Sequence, residues 1–131
     1  MTADAGEIVR LAELCEAGQV PSRDLDALIA PLQGLQVVDE GHPLGRVCYD
    51  QNRQSIMLPR YTASIDAAMT LVPEGMWAEG ALGSHADQWS SLEIHAPCTY
   101  DPIGQATAAT PALALTAAAL RARAQHDHEV G

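Results

Sequence analysis

The sequence contains no lysine and no phenylalanine among its 131 residues. All seven of its Lys/Arg positions are therefore arginines, and 17 acidic residues leave a formal net charge of −10. Because no basic stripe is present to displace counterions from phosphates, the sequence predicts no direct binding of nucleic acid. Mimicry of nucleic acid by the acidic surface stays open, although the acids are scattered and form no tract.

Long apolar runs and paired cysteines are also missing. No window approaches about 18 uncharged apolar residues, so we expect no membrane partner. The N-terminal residues MTADAGEIVRLAE are acidic and polar, which is not typical of a secretion signal. Cys15, Cys48 and Cys98 are odd in number and form no CxxC, which favours free thiols in a reducing compartment. We therefore expect a cytoplasmic protein.

Signature motifs of enzymes are absent as well. The sequence holds no GxSxG, no HExxH and no GxxxxGK[ST], so it predicts no catalytic residue and no cofactor. An enzyme stays open, because catalytic groups can assemble in space. His126 and His128 form an HxH, and His85, Asp87 and His95 could join in space, but no ligand set has a recognised spacing. The sequence predicts no metal site.

What the sequence does contain is helical spacing at both ends. Asp4 is expected to cap a first helix over 4–17, and Ser22 a second one that terminates or tightens near Pro31. Thr110 followed by Pro111 is the best-marked helix start, and ALALTAAALRARA after it is apolar nearly all round. A helix of that kind is buried on more than one side. The apolar positions predicted at helical spacing are Ile8, Leu11, Ala12 and Cys15, then Leu25, Leu28, Ile29 and Leu32, and finally Leu113, Ala117, Leu120 and Ala124.

Short strand candidates occupy the middle of the chain, at 36–39, 46–49, 55–58, 77–82 and 89–96. In the last of these, Leu92 and Ile94 share one face while Trp89, Glu93 and His95 share the other, which is typical of an antiparallel strand with one wet side. The predicted order is α-α-β-β-β-α-β-β-α. We expect an α+β fold, with one small antiparallel sheet sandwiched between helices, in a single domain over 1–125 and a frayed tail at 126–131.

Three blocks of the sequence resemble a known family. LPRYTASIDAAMTLVPEG and ATAATPALALTAAALRARA, together with DLDALIA near the start, look like the phage ABA-sandwich domain family of phage and prophage proteins. The resemblance spans about Asp24 to Ala124. It implies an α-β-α sandwich and a setting in the cytoplasm of a bacterial host, and it brings no established reaction. Relatives often carry an aromatic-rich stretch after the VPEG turn, where this chain has MWAEGALG with Trp77 alone.

The first candidate site is the polar entrance to the third predicted helix. Arg60, Tyr61, Thr62 and Ser64 precede a stripe of Ile65, Ala68, Met69 and Val72 that ends at Pro73. Helix capping accounts for Thr62 and Ser64 without any chemistry. The functional alternative is an anion site, with Arg60 beside the free backbone N–H groups of a helix start. We favour the structural interpretation and keep both, and we expect Ile65 and Met69 to be core residues.

The second candidate site is a protein interface built from Trp77, Trp89 and His95. The two tryptophans fall on strand candidates beside the turn at 83–87. Each could cover a sheet edge, or each could anchor a partner, since tryptophan is enriched at binding hot spots. Trp89 lies on the face opposite Leu92 and Ile94, which favours an exposed position.

Two functions are consistent with these patterns. The first is a small phage or prophage accessory protein that acts without catalysis by binding a host or phage protein, and a counter-defence inhibitor is one form of it. The alternative is a binder or hydrolase of a small anionic ligand, such as a nucleotide, at the Arg60 entrance. A homo-oligomer stays open in either case.

Overall fold

The computed structural model of the chain describes residues 4–38, 46–81, 90–98 and 101–130, with the backbone alone for 81 and 126–130. Its elements in chain order are α1 (Ala5–Ala17), α2 (Arg23–Ile29), a 3₁₀ turn (Ala30–Gln33), β1 (Gln36–Val38), β2 (Val47–Tyr49), β3 (Ser55–Ile56), α3 (Ile65–Met69), β4 (Trp77–Ala81), β5 (Ser90–His95), β6 (Gly104–Ala108) and α4 (Pro111–Val130). The α+β class expected from the sequence is confirmed.

All four α-helices begin at a capping side chain that the sequence marks. An oxygen of each cap accepts a hydrogen bond from the backbone N–H three residues later, and the caps are Asp4, Ser22, Ser64 and Thr110. These bonds satisfy donors that the helix itself leaves unpaired. Helix α4 extends through 126–130, the segment for which the sequence predicts a frayed tail.

Helix α2 buries Ile29, as its apolar spacing predicts, but Leu28 and Asp26 depart from that pattern. Leu28 is 55% exposed, whereas Asp26 is fully buried. Arg23 and Thr62 both donate hydrogen bonds to the Asp26 carboxylate. Thr62, a partner outside the helix, therefore helps to determine which side of this seven-residue helix faces inward. At Pro31 the helix tightens into the 3₁₀ turn, as the sequence predicts.

The strands form two antiparallel sheets, in the orders β1-β2-β3 and β4-β5-β6, where the sequence predicts a single sheet. Strand β6 is the element that the pattern analysis misses. Its sequence, GQATA, consists mostly of small residues with Thr107 as the one β-branched residue, so it carries little of the usual strand signal. In the structure it pairs with β5 from Ser90↔Ala108 to Ile94↔Gly104.

Helix α4 is the centre of the fold. It packs against α1 and α3 as well as β5 and β6. Every residue from 112 to 120 is buried, including Leu113 and Leu120, which confirms that this helix is enclosed on more than one side. Although α4 has 20 residues, neither it nor any other helix of the described ranges is long and apolar enough to cross a membrane.

Strand β6 lies unusually close to the backbone of α4. A Cβ atom at Gly104 would stand 2.3 Å from the carbonyl oxygen of Ala118 and 2.6 Å from the amide nitrogen of Ala122. No side chain fits there, so glycine is required by space rather than by backbone angle. The alanines of α4 allow the same close approach along the rest of the helix.

Helix α3 is shorter than its stripe predicts, and within that stripe it buries Ala68 rather than Ile65 and Met69. Ile65 and Met69 are 45% and 43% exposed, so their prediction as core residues is wrong. Ala68 and Leu71 are fully buried instead. Since the helix has only five residues, the chain turns after Met69 and brings Leu71 into the core.

Candidate functional site

The sheet β4-β5-β6 has one buried face and one exposed face. Burial alternates along β5 and β6, with Leu92, Ile94 and Ala106 on the side of α4. The opposite side, called here the open face, carries Trp77, Glu79, Ser91, Glu93, His95, Gln105 and Thr107. The expectation of a strand with one wet side is confirmed. Helix α4 packs against β5 and β6 of this sheet.

Trp77 and His95 form a stacked pair at one end of the open face. They are direct partners in the register of β4 and β5. Their ring centroids lie 6.0 Å apart with an interplanar angle of 18°. Trp77 is nevertheless 43% exposed, so much of the indole surface remains accessible to solvent. The sheet thus holds an aromatic side chain in a fixed and accessible position.

Two carboxylates stand next to this pair. Glu79 and Glu93 face each other across β4 and β5. Glu79 Oε1 accepts a hydrogen bond of 2.9 Å from the indole N–H of Trp77, and Glu93 Oε2 lies 2.9 Å from Nε2 of His95. Glu79 Oε2 is 3.7 Å from the same His95 nitrogen. Like charges directly opposite each other destabilise a sheet, so this arrangement has a stability cost.

The structure therefore brings together Trp77 and His95, two of the three residues predicted as an interface. Trp89 lies outside the described residues. The sequence analysis does not single out Glu79 and Glu93. Alternation within β5 does place Glu93 on the same face as His95, but the register that brings Glu79 opposite Glu93 is a property of strand pairing.

The residues of the Arg60 entrance serve different purposes. Tyr61 and Thr62 are fully buried, and the Tyr61 hydroxyl donates a hydrogen bond to Gln33. Burial raises the pKa of Tyr61 to about 12, with Cys48 and Asp26 adding to the rise and Arg123 opposing it. Tyr61 is thus a neutral structural residue rather than a ligand contact.

The side chains of Thr62 and Ser64 also form structural hydrogen bonds within the protein. The hydroxyl of Thr62 accepts a hydrogen bond from the Ser22 backbone N–H at 2.8 Å and lies 2.9 Å from Asp26 Oδ1. Ser64 caps α3, as expected. Arg60 is the one exposed member of the four predicted residues, and the helix beside it has only five residues. The four residues do not converge on a common space that could hold an anion.

A groove of about 680 Å³ next to this region has a partly cationic lining, which includes Arg23 and Arg46. Both guanidinium groups already have carboxylate partners. Arg23 donates to Asp26 at 2.8 Å, and Arg46 donates to Asp24 at 2.9 Å. Because the nearby charges cancel in pairs, this groove has little excess positive charge for an anionic ligand.

The buried thiols of Cys15 and Cys48 are not activated as nucleophiles. Burial raises the pKa of Cys15 to about 12, with Asp26 and Glu16 contributing to the rise. Burial also raises the pKa of Cys48, while Arg23 opposes that rise. Both thiols are therefore protonated near neutral pH, and a protonated thiol is a poor nucleophile.

Within 4–38, 46–81, 90–98 and 101–130 no group of three His, Cys, Asp or Glu side chains is arranged to hold a metal ion. His85 and Asp87 lie outside the described residues, and so do the side chains of His126 and His128.

Comparison of the chain with family models, with curated proteins and with solved structures finds no match.

Proposed function

We propose that this chain is a small accessory protein that acts without catalysis, by binding another protein through the open face. The observation that carries the proposal is the exposed Trp77 ring, stacked on His95 and hydrogen-bonded to Glu79. Tryptophans of this kind are enriched at binding hot spots, because they remove a large surface from water on contact. Its hydrogen bond and its stacking partner fix the ring in advance, which lowers the entropy lost on binding.

The phage or prophage setting is supported by the resemblance of the three sequence blocks. In that setting the partner is a host or phage protein, and a counter-defence inhibitor is one concrete form of the function. A small acidic protein with a preformed contact face fits this role, since inhibition by contact needs no reaction. We propose no cofactor and no catalytic residue.

The test compares three variants in a fitness assay of the phage or prophage that encodes the chain. Trp77→Ala, alone and combined with Trp89→Ala, removes the predicted anchors. Arg60→Ala removes the cation of the alternative ligand site. Truncation of a hot-spot tryptophan costs at least about 2 kcal/mol, so partner affinity should fall by roughly thirtyfold.

All three variants are first checked for an unchanged circular dichroism spectrum and melting temperature. Arg60→Ala should retain wild-type fitness, because Arg60 is exposed and does not belong to the open face. Fitness that survives the double tryptophan change and is lost with Arg60→Ala would overturn the protein-binding proposal in favour of the anionic-ligand alternative.

A further inference from the structure

The open face is acidic, and the stretch of sequence that contains its strands has no arginine or lysine. No Arg or Lys occurs between Arg60 and Arg121, a stretch that contains the whole β4-β5-β6 sheet. The acids of that stretch are Asp66, Glu74, Glu79, Asp87, Glu93 and Asp101. Two of them, Glu79 and Glu93, are direct cross-strand partners on the open face. A binding partner can relieve this repulsion by supplying a positive charge.

Resting on the proposed function, we infer that the open face binds a basic segment of a partner protein. An Arg or Lys side chain of that segment lies against the Trp77 ring and pairs with the carboxylates of Glu79 and Glu93. A cation over an indole face is attracted by the ring quadrupole, and tryptophan is the best of the aromatic side chains for this contact. The neighbouring carboxylates then accept charge-assisted hydrogen bonds from the same side chain.

The geometry around Trp77 suits such a contact. Glu79 Oε1 is bonded to the indole N–H, so the carboxylate lies at the edge of the ring and its second oxygen remains 3.7 Å from His95. The side chain of Glu79 is 63% exposed and that of Glu93 is 43% exposed, so both carboxylates are accessible. An incoming basic segment can therefore meet an aromatic ring and two accessible carboxylates on one face of the sheet.

Charge complementarity favours a basic segment over a nucleic acid or a second copy of the chain as the molecule that binds the open face. A nucleic acid would add negative charge to an acidic face. A second copy of the chain would bring its own Glu79 and Glu93 against the same two residues. An extended basic segment, by contrast, supplies the positive charge that the open face lacks.

The experiment measures the binding of a fluorescein-labelled peptide of about twelve residues with alternating Arg and Ser, by anisotropy at about 50 and 150 mM NaCl. In an extended peptide the alternation places every Arg on one side. The matched control peptide carries citrulline, a neutral isostere, in place of each Arg. The arginine peptide should bind the wild-type chain, with an affinity that falls as salt rises, and the citrulline peptide should not.

The deciding variant is the double change Glu79→Gln/Glu93→Gln. The amides retain acceptors for Trp77 and His95 while they remove both charges. The matched control is Glu13→Gln/Glu74→Gln, which removes two exposed acids elsewhere in the chain. We expect about a tenfold loss of affinity for the first double variant, about a fivefold loss for Trp77→Leu, and less than about a twofold change for the control.

Absence of peptide binding, or equal losses in both double variants, would overturn the assignment of a basic partner. So would a dimer seen by sedimentation that Trp77→Leu dissociates, because a second copy would then occupy the face. The proposed function is judged separately by the fitness assay. One outcome distinguishes the two proposals. If fitness is lost with Trp77→Ala but retained with Glu79→Gln/Glu93→Gln, the chain binds a protein through the open face, and the proposal of a basic segment is wrong.

Discussion

Asp26 Oδ1 accepts hydrogen bonds from both the backbone N–H and the hydroxyl of Thr62, each at 2.9 Å, across 36 residues of sequence. Both residues are fully buried. The other carboxylate oxygen of Asp26 accepts from Arg23, which also donates to the carbonyl oxygen of Leu58 at 2.9 Å. This network fastens α2 to the turn that precedes α3, and it explains why two polar residues of the candidate ligand site lie inside the protein.

Replacement of Asp26 by Ala should lower the free energy of unfolding by about 2–3 kcal/mol, because it leaves the buried N–H of Thr62 without an acceptor. Arg23 is 47% exposed and can turn to water, so most of the cost arises at Thr62. Urea denaturation is the measurement. The matched control is Asp24→Ala on the same helix: the Asp24 side chain is 84% exposed, and its loss should change stability by less than about 0.5 kcal/mol. Similar values for the two variants would contradict the role of the network.

Replacement of Thr110 by Ala should destabilise the protein by about 1 kcal/mol, since the Thr110 hydroxyl accepts the N–H of Leu113 at the start of α4. Thr110→Asp should be nearly neutral, because a carboxylate also caps and favours the positive end of the helix dipole. Thermal melts of the two variants give the comparison. Equal damage from Asp and Ala would mean that the hydroxyl contributes something other than a cap.

Leu120→Ala should cost about 2–5 kcal/mol, because the side chain is fully buried in the central helix and its truncation leaves a cavity. Leu28→Ala provides the matched control, as the same substitution at a residue that is 55% exposed. It should cost less than about 1 kcal/mol, which reverses the expectation from apolar spacing. Denaturant midpoints at constant slope report both values. A large loss at Leu28 would show that its side chain contacts the core.

The stability of the protein should fall at alkaline pH. The pKa of Cys15 is raised from 9.0 to about 12 in the folded state, so its contribution is fully present below pH 9 and is lost as pH rises toward 12. Tyr61 acts in the same direction from 10.0 to about 12. The cost of Cys15→Ala, measured by urea denaturation in reductant, should therefore be smaller at about pH 10 than at about pH 7.5. Cys98→Ala, at an exposed thiol, is the control. Parallel pH profiles for Cys15→Ala and the wild type would contradict the burial effect.

Local signals account for the parts of the fold that the sequence predicts well. Capping residues mark where helices begin, and the alternation in β5 separates its two faces, because both depend on neighbours within a few residues. The missed strand, β6, has no such signal: its residues are small, and pairing with β5 on one side and contact with α4 on the other make it a strand. Gly104 illustrates this, since only the nearby backbone of α4 shows why it must be glycine.

The two candidate sites also combine features that local sequence signals indicate with features that depend on contacts between distant segments. Sequence analysis identifies Trp77 and His95 as candidates because aromatic and polar residues in strands are conspicuous. It does not identify their contact, which depends on the register of β4 against β5. Spacing at the Arg60 entrance correctly indicates a helix cap at Ser64. It does not indicate that Tyr61 and Thr62 turn inward, because their partners, Gln33 and Asp26, lie on distant segments.

The sequence by itself determines where this chain begins its helices, that α4 is enclosed, and that no arginine or lysine lies between Arg60 and Arg121 to match the acids there. These properties follow from bonding within one or two turns and from composition. Only the tertiary structure decides that Glu79 and Glu93 oppose each other beside a stacked Trp77, and that Asp26 is inside while Leu28 is outside. The physical reason is that strand register and helix rotation minimise the free energy of contacts between segments far apart in the chain, which no local pattern records.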